Sequence, residues 1–228
     1  MGKLLLFDFD GVLVDSLEIY TRAVEWCLKR VGMPIVATVE DYLELFEGNF
    51  YEALRERGVD LDAFAAALKE YSARVNYYGD VKAVAGISPV VEALGRDHTL
   101  LIISSNSARA IGRIIARFTW NGSFRAILGS EDAFSKREKI DRARKRFAFP
   151  PGETYYIGDT AGDIREGKEA GVVTVAATWG WHTRERLLAA GPDLVVDNPR
   201  ELLTLFGAGQ GRQKTGAASR GVIKGGKR

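Results

Sequence analysis

Cysteine is nearly absent from this 228-residue chain: Cys27 stands alone, which excludes an internal disulfide. It falls in an amphipathic stretch with no histidine or basic motif around it and reads as a packed thiol. Histidine is equally scarce. His98 and His182 are the only two, too few for a histidine-rich metal site; His98 reads as a loop residue and His182 as packed or exposed. No run of about 18 apolar residues occurs, so no transmembrane helix is expected. The apolar patch Leu4 to Phe7 ends at Asp8, too short for the hydrophobic region of a signal peptide, and a cytoplasmic location is the expectation. Acid is missing from the last stretch. Residues 207–228 hold six basic residues and no Asp or Glu against a whole-chain net charge of +2, so the rest is mildly acidic. That tail is Gly-rich without interleaved aromatics, which reads as disorder and disfavours a nucleic-acid partner.

What is present starts with FDFDGVLVDS. Lys3 to Phe7 has the continuous apolar character of a strand covered on both faces, and it runs directly into Asp8 and Asp10. Carboxylates at i and i+2 on an extended chain point the same way and repel unless a cation or shared proton intervenes. Residues 15–79 then show no strand but several helical stretches. Asp15 with Glu18 resembles a capping box, with an apolar stripe through Ile19, Ala23 and Cys27 that ends at Gly32. Thr38 and Asn49 offer further caps, and a longer helix is expected from Asp60 to Tyr78. The aromatic residues Phe46, Phe50, Tyr51, Phe64 and Tyr71 read as core of this helical block.

From about residue 86 strands and helices alternate: Thr99–Ile103, Ala108–Phe118, Arg125–Leu128, Ser135–Phe147, Thr154–Ile157, Ile164–Ala170, Val172–Ala176, Arg184–Ala190, Leu194–Val196 and Arg200–Phe206. The pattern predicts an α/β fold, a Rossmann-like parallel sheet with helices on both faces and an all-helical cap inserted after the first strand. Residues 1–14 and 80–206 would form the core, 15–79 the cap and 207–228 the tail. Ligands of such sheets bind at the carboxyl ends of the strands. Three such ends carry chemistry: Asp8 and Asp10, then Ser104-Ser105-Asn106, then Gly158-Asp159 with Asp163. Lys136 and Lys139 fall at a helix start, where the macrodipole disfavours a cation. Four acids, hydroxyl and backbone donors and a lysine describe a place for a hard divalent cation and a phosphoryl group.

In this order the motifs resemble those of the haloacid dehalogenase superfamily, over residues 3–206, and the stretch from Ala170 to Leu203 is similar to its phosphoglycolate-phosphatase-like members. The resemblance implies Asp8 as nucleophile and Asp10 as general acid/base, with the Asp10 main-chain carbonyl reaching Mg2+. It implies Ser104 as the phosphate-binding hydroxyl, with Ser105 able to take that role if the strand ends one residue later. Asn106 and Gly11 join the substrate contacts, and Lys136 is the motif lysine with Lys139 as its rival. Asp159 would ligate Mg2+, with Asp163 a direct or water-mediated second acid. Gly48-Asn49 lies where such caps lower a loop over the substrate. A small phosphorylated metabolite is the implied partner, for a monomer or homodimer with no membrane. A phosphomutase of the beta-phosphoglucomutase type remains the enzymatic alternative, and a non-catalytic phosphate- or nucleic-acid-binding protein the alternative of another class.

Overall fold

A computed structural model describes residues 2–75 and 79–207. Its centre is a six-stranded parallel sheet in the order β5-β4-β1-β6-β7-β8. The strands are β1 (Leu4–Phe7), β4 (Thr99–Ile103), β5 (Phe124–Leu128), β6 (Thr154–Gly158), β7 (Val173–Ala177) and β8 (Leu194–Val196). Every residue of β1 is buried, which explains its unbroken apolar run. The period-2 alternation of strand side chains divides that run between two cores. Leu5 and Phe7 join a cluster with α5 (Ile87–Asp97), α6 (Ala108–Ile115) and α10 (Glu201–Phe206). Leu4 and Leu6 face the other way, against Ile140 and Ala143 of α7 (Lys136–Phe147). Helices thus cover both faces, as the strand–helix alternation required.

The chain runs from β1 to β4 and β5 on one side, then returns to β6 on the other. The switch in direction lies between β1 and β6, where a crevice opens beyond the carboxyl ends of the strands. The helices α1 (Leu17–Arg30), α2 (Val39–Glu44), α3 (Phe50–Glu56) and α4 (Leu61–Arg74) lie between the first and second strands of the main sheet. They bury a core of their own, including Cys27, Leu28, Tyr42, Leu54 and Phe64. Asn49 caps α3 by accepting from the N–H groups of Tyr51 and Glu52, and Thr38 forms a capping box with Asp41.

Several local expectations are corrected. The helix expected from Asp60 to Tyr78 ends at Arg74; residues 76–78, like the tail 208–228, lie outside the described residues. The Asp15–Glu18 box does not form. Asp15 belongs to β2 (Val14–Asp15), which pairs antiparallel with β3 (Lys82–Ala83), a two-stranded ribbon absent from the sequence reading. Ser16 is the N-cap of α1, and its hydroxyl donates to Asp10 Oδ1 at 2.8 Å rather than capping the helix. A ribbon of two-residue strands has too little apolar alternation to be legible. His98 does lie in the turn between α5 and β4, as read, and is held there: its Nδ1 accepts from Lys3 N at 3.0 Å, and its Nε2 lies 2.9 Å from the Phe206 carbonyl oxygen.

Among the described residues no helix is long and apolar enough to cross a membrane.

Candidate active site

Because β1 lies between β4 and β6, the residues that follow these strands meet at one edge. Asp8 follows β1, Ser104 follows β4 and Asp159 follows β6. Lys136 opens α7 and reaches into the same place: its Nζ stands 3.0 Å from Asp8 Oδ2 and 2.5 Å from Asp163 Oδ1. All four of Asp8, Lys136, Asp159 and Asp163 are buried. Burial alone would push the Lys136 ammonium down, yet the Asp163 and Asp8 carboxylates outweigh it and hold it above its ordinary range. The lysine unfavourable at a helix start is therefore held by acids across the sheet edge.

The acids divide into two kinds. Asp163 is saturated with donors. Its Oδ1 accepts from Lys136 Nζ and Tyr156 OH (2.8 Å), and its Oδ2 from Asp159 N (3.2 Å), Thr160 N (3.0 Å) and Thr160 Oγ1 (2.7 Å). Burial opposes its charge, but Lys136, Thr160 and Tyr156 keep the carboxyl below its usual range. Asp159 is the opposite case. Trp181 N donates to its Oδ2 at 2.7 Å, while Oδ1 is buried with no partner. Burial, with Asp163 and Asp8 nearby, drives its carboxyl well above the ordinary value. Asp8 is pushed up to about 7, first by burial and against the pull of Lys136.

Asp8, Asp159 and Asp163 each place an oxygen within 4.8 Å of the others, the Asp163 oxygens already engaged by their own donors. A Cβ at Gly11 or Gly180 would collide with the Asp159 carboxylate, and Gly11 also holds φ at +81°. An all-oxygen donor set, an orphaned buried carboxylate oxygen and a glycine cradle beside it fit a hard cation such as Mg2+.

The Asp10 side chain is not part of that cluster. It accepts from Ser16 and hydrogen-bonds to Asn106; burial pushes it up to about 6, with those two bonds and Lys136 pulling it back. Ser104 is the first residue past β4 and is buried, its Oγ accepting from Asn106 N at 3.0 Å. Lys139 Nζ donates to the Ser104 carbonyl at 2.6 Å, and burial lowers its ammonium to about 8. The two lysines thus do different things: Lys136 meets the acids, and Lys139 braces the turn after β4. The Ser105 carbonyl accepts from Tyr51 OH of α3 at 2.8 Å.

Gly48 is exposed, with open space where a Cβ would stand, while Asn49 is buried. Gly162 N donates to the Phe46 carbonyl at 2.9 Å, and a Cβ on Gly162 would strike the Gly48 carbonyl. Asn49 Nδ2 donates to Phe134 O and to Glu166 Oε1, both at 3.2 Å. With its Oδ1 accepting from Tyr51 N and Glu52 N as well, this amide ties the segment before α3 to Phe134 and Glu166.

Three contributors escaped the sequence reading, and a fourth, His182, enters it only as packed or exposed. Glu166 Oε1 also accepts from Lys136 N at 2.7 Å, so one buried carboxylate joins α8 (Ala161–Glu169), the start of α7 and Asn49. His182 is buried, its Nδ1 accepting from Ala161 N (3.0 Å) and its Nε2 lying 3.0 Å from Leu43 O, and so ties α2 to the start of α8. Tyr156 supports Asp163, and Trp181 supports Asp159. Glu166 lies three residues after Asp163 on one helix face, the single signal that could have singled it out.

Replacing Asp159 with Asn separates charge from shape. A carboxyl raised in the folded state contributes stability below its unfolded pKa and loses it as pH rises through the folded one, so with rising pH the metal-free protein bears the cost of a buried charge beside Asp163 and Asp8. In chelator at pH 8, Asp159→Asn is expected to melt a few degrees above wild type, at roughly 2–4 °C per kcal/mol relieved. Added Mg2+ should raise the melting temperature of wild type and not of the variant. Differential scanning calorimetry decides it; a wild type indifferent to Mg2+ would count against a cation site.

A model of the haloacid dehalogenase-like hydrolase family matches residues 5–177. The phosphoglycolate phosphatase of Synechococcus elongatus is 28% identical over 204 residues, spanning 87% of this chain and 94% of its own. Phosphoglycolate phosphatase 1 of Pseudomonas aeruginosa is 28% identical over 222 residues, spanning 89% of this chain and 79% of its own. Among solved structures, a haloacid dehalogenase-like family hydrolase from Streptococcus pneumoniae shares the fold with a TM-score of 0.73 at 24% identity, covering 90% of this chain and 98% of that one. With the family model running from the second residue of β1 to the last of β7, across both acidic strand ends, this chain belongs to the haloacid dehalogenase-like hydrolases.

Proposed function

We propose that this hydrolase is a Mg2+-dependent phosphatase of small phosphomonoesters that works through an aspartyl-phosphate on Asp8. The observation that carries the reading is the meeting of Asp8 and Asp159 from adjacent strands, their oxygens within 4.8 Å, with the single ammonium of Lys136 at 3.0 Å from Asp8. Helices α1 to α4 act as a cap over this edge. The names of the curated relatives make 2-phosphoglycolate the first ester to assay.

An Asp8 carboxylate oxygen attacks phosphorus and forms the O–P bond as the ester O–P bond breaks. Asp10 gives its proton to the departing alkoxide, a role suited to a carboxyl held at about 6. Water then enters, returns a proton to Asp10 and attacks the phosphoryl group, freeing Asp8 and inorganic phosphate. Lys136 and the donors after β4 hold the phosphoryl oxygens and keep Asp8 oriented. Mg2+, held by Asp8 and Asp159 with the Asp10 carbonyl, would supply positive charge to the same oxygens. Asp163, its lone pairs already filled, orients Lys136 and the loop that carries Asp159.

The test is metal removal. Exhaustive chelation should abolish phosphate release from 2-phosphoglycolate and p-nitrophenyl phosphate, and Mg2+ should restore it while Ca2+, which tolerates looser coordination, should not. Undiminished turnover in chelator would sink the proposal. Assays with a sugar-phosphate acceptor against water separate hydrolysis from mutase chemistry.

A further inference from the structure

We propose that the cleft between α4 and α6 receives the alcohol portion of a phosphomonoester that carries a second anionic group and is larger than a two-carbon acid. The inference rests on the phosphatase reading and specifies the substrate class of that same site. The cleft encloses about 700 Å3, with Phe64 and Leu68 of α4 on one wall and Arg109 and Arg113 of α6 on the other. Its floor is the turn after β4, Ser105 to Ser107.

Continuity with the chemistry runs through Asn106. This residue lines the cleft and also hydrogen-bonds to the Asp10 side chain. If Asp10 protonates the departing oxygen, the carbon attached to that oxygen lies beside Asn106, and the remainder of the alcohol extends into the cleft. A volume of about 700 Å3 sits within the roughly 300–1,000 Å3 typical of sites for drug-sized ligands. A two-carbon alcohol would leave most of it to water.

Charge defines the class. Lys69, Arg109 and Arg113 line the cleft against one acid, Glu131. Both Glu131 oxygens face the start of α6, accepting from Ser107 Oγ at 2.5 Å and Ala108 N at 3.0 Å. Glu70, next to Lys69, turns away to Arg30 and Arg74. Among the described residues neither Lys69 nor Arg109 has an acidic partner. Lys69 and Arg109, brought to one cleft from two helices and without acidic partners among the described residues, attract an anion. The apolar wall of Phe64 and Leu68 suits the carbon skeleton between that anion and the scissile phosphate.

The anion can be a carboxylate or a second phosphate, and esters on one skeleton tell them apart. Glucose 6-phosphate is the neutral-tail reference, 6-phosphogluconate adds a carboxylate and glucose 1,6-bisphosphate a second phosphate; 2-phosphoglycolate tests size. Wild type is expected to show kcat/KM at least about tenfold higher for one charged hexose ester than for glucose 6-phosphate, and higher than for 2-phosphoglycolate, with the advantage shrinking as salt rises. The double variant Lys69→Glu/Arg109→Glu should reduce that ratio by about tenfold or more, since like charge then meets the anion. The favoured ester names the source of the charge. A ratio near one in wild type, an equal fall for all esters in the variant, or a preference for 2-phosphoglycolate overturns the inference. Should wild type hydrolyse none of these nor p-nitrophenyl phosphate, the phosphatase reading fails by itself. Calorimetric titration of the same esters then decides the cleft: tighter binding of a charged ester, weakened by charge reversal, supports it, and equal or absent binding overturns it.

Discussion

Asp8→Asn is expected to lower phosphatase activity by at least about 10^4-fold and to leave no phosphorylated enzyme with any ester, the size of loss seen when a nucleophile is removed. The amide is close to isosteric with the carboxylate, so the packing at the buried end of β1 is preserved. What it lacks is a nucleophilic oxygen. In the folded protein Asp8 is paired with Lys136 at 3.0 Å, and Lys136 retains Asp163 at 2.5 Å, so the lysine stays anchored in the variant. The loss should therefore appear in kcat, with thermal stability close to that of wild type or above it once a repelling charge is gone. Intact-mass spectrometry after quenching a turnover mixture reads the adduct directly. A phosphorylated Asp8→Asn enzyme would show that another group attacks phosphorus.

Asp10→Asn is expected to behave differently, and the difference depends on the leaving group. An alkyl ester needs its departing oxygen protonated, so the first step should fail and turnover fall by roughly 10^2–10^4-fold. An aryl ester such as p-nitrophenyl phosphate leaves unaided. Its phosphoryl group should transfer to Asp8, after which hydrolysis stalls for want of a base to activate water. The variant should release about one equivalent of nitrophenol per site in a burst and accumulate a phosphorylated enzyme. The position of Asp10 favours this division: its carboxyl is turned to Ser16 and Asn106, outside the cluster of Asp8, Asp159 and Asp163. Stopped-flow kinetics with mass detection is the measurement. A folded Asp10→Asn enzyme without burst or adduct would remove the general acid/base role, and equal losses for aryl and alkyl esters would make Asp10 a positioning residue.

The parallel sheet and its flanking helices were legible because apolar runs of four or five residues, each followed by a helical stripe, have few other ways to bury themselves. Leu4 to Phe7 is the clearest case, since residues apolar on both faces of a strand require cover on both sides. The acids were legible for a related reason. Asp8 and Asp159 each end such a run, and the edge of a parallel sheet is the one place where consecutive strand ends meet. Less was written about contacts that depend on which helix lies across a strand end. Glu166 carries no assignment until α8 is laid beside the start of α7, and Asn49, legible as a helix cap, meets Glu166 only once the Phe46 to Asn49 segment rests on Gly162. The ribbon of β2 and β3 escaped because pairing of two residues leaves no periodicity.

The sequence by itself determined the fold class and which strand ends carry chemistry, because burial periodicity and the DxD and GDTAGD spacings are local properties of the chain. Tertiary structure alone decided how those groups share the work. It set Lys136 against Asp8 and Asp163 while turning Lys139 to the Ser104 carbonyl, though the two lysines are one helical turn apart. It filled every acceptor of Asp163 and left Asp159 Oδ1 bare, though both are aspartates of one short motif. The physical reason is that the charge state and contacts of a buried group depend on burial and on partners a few ångströms away, and residues such as Trp181 and Tyr156 are brought there by strand order and helix packing rather than by spacing along the chain.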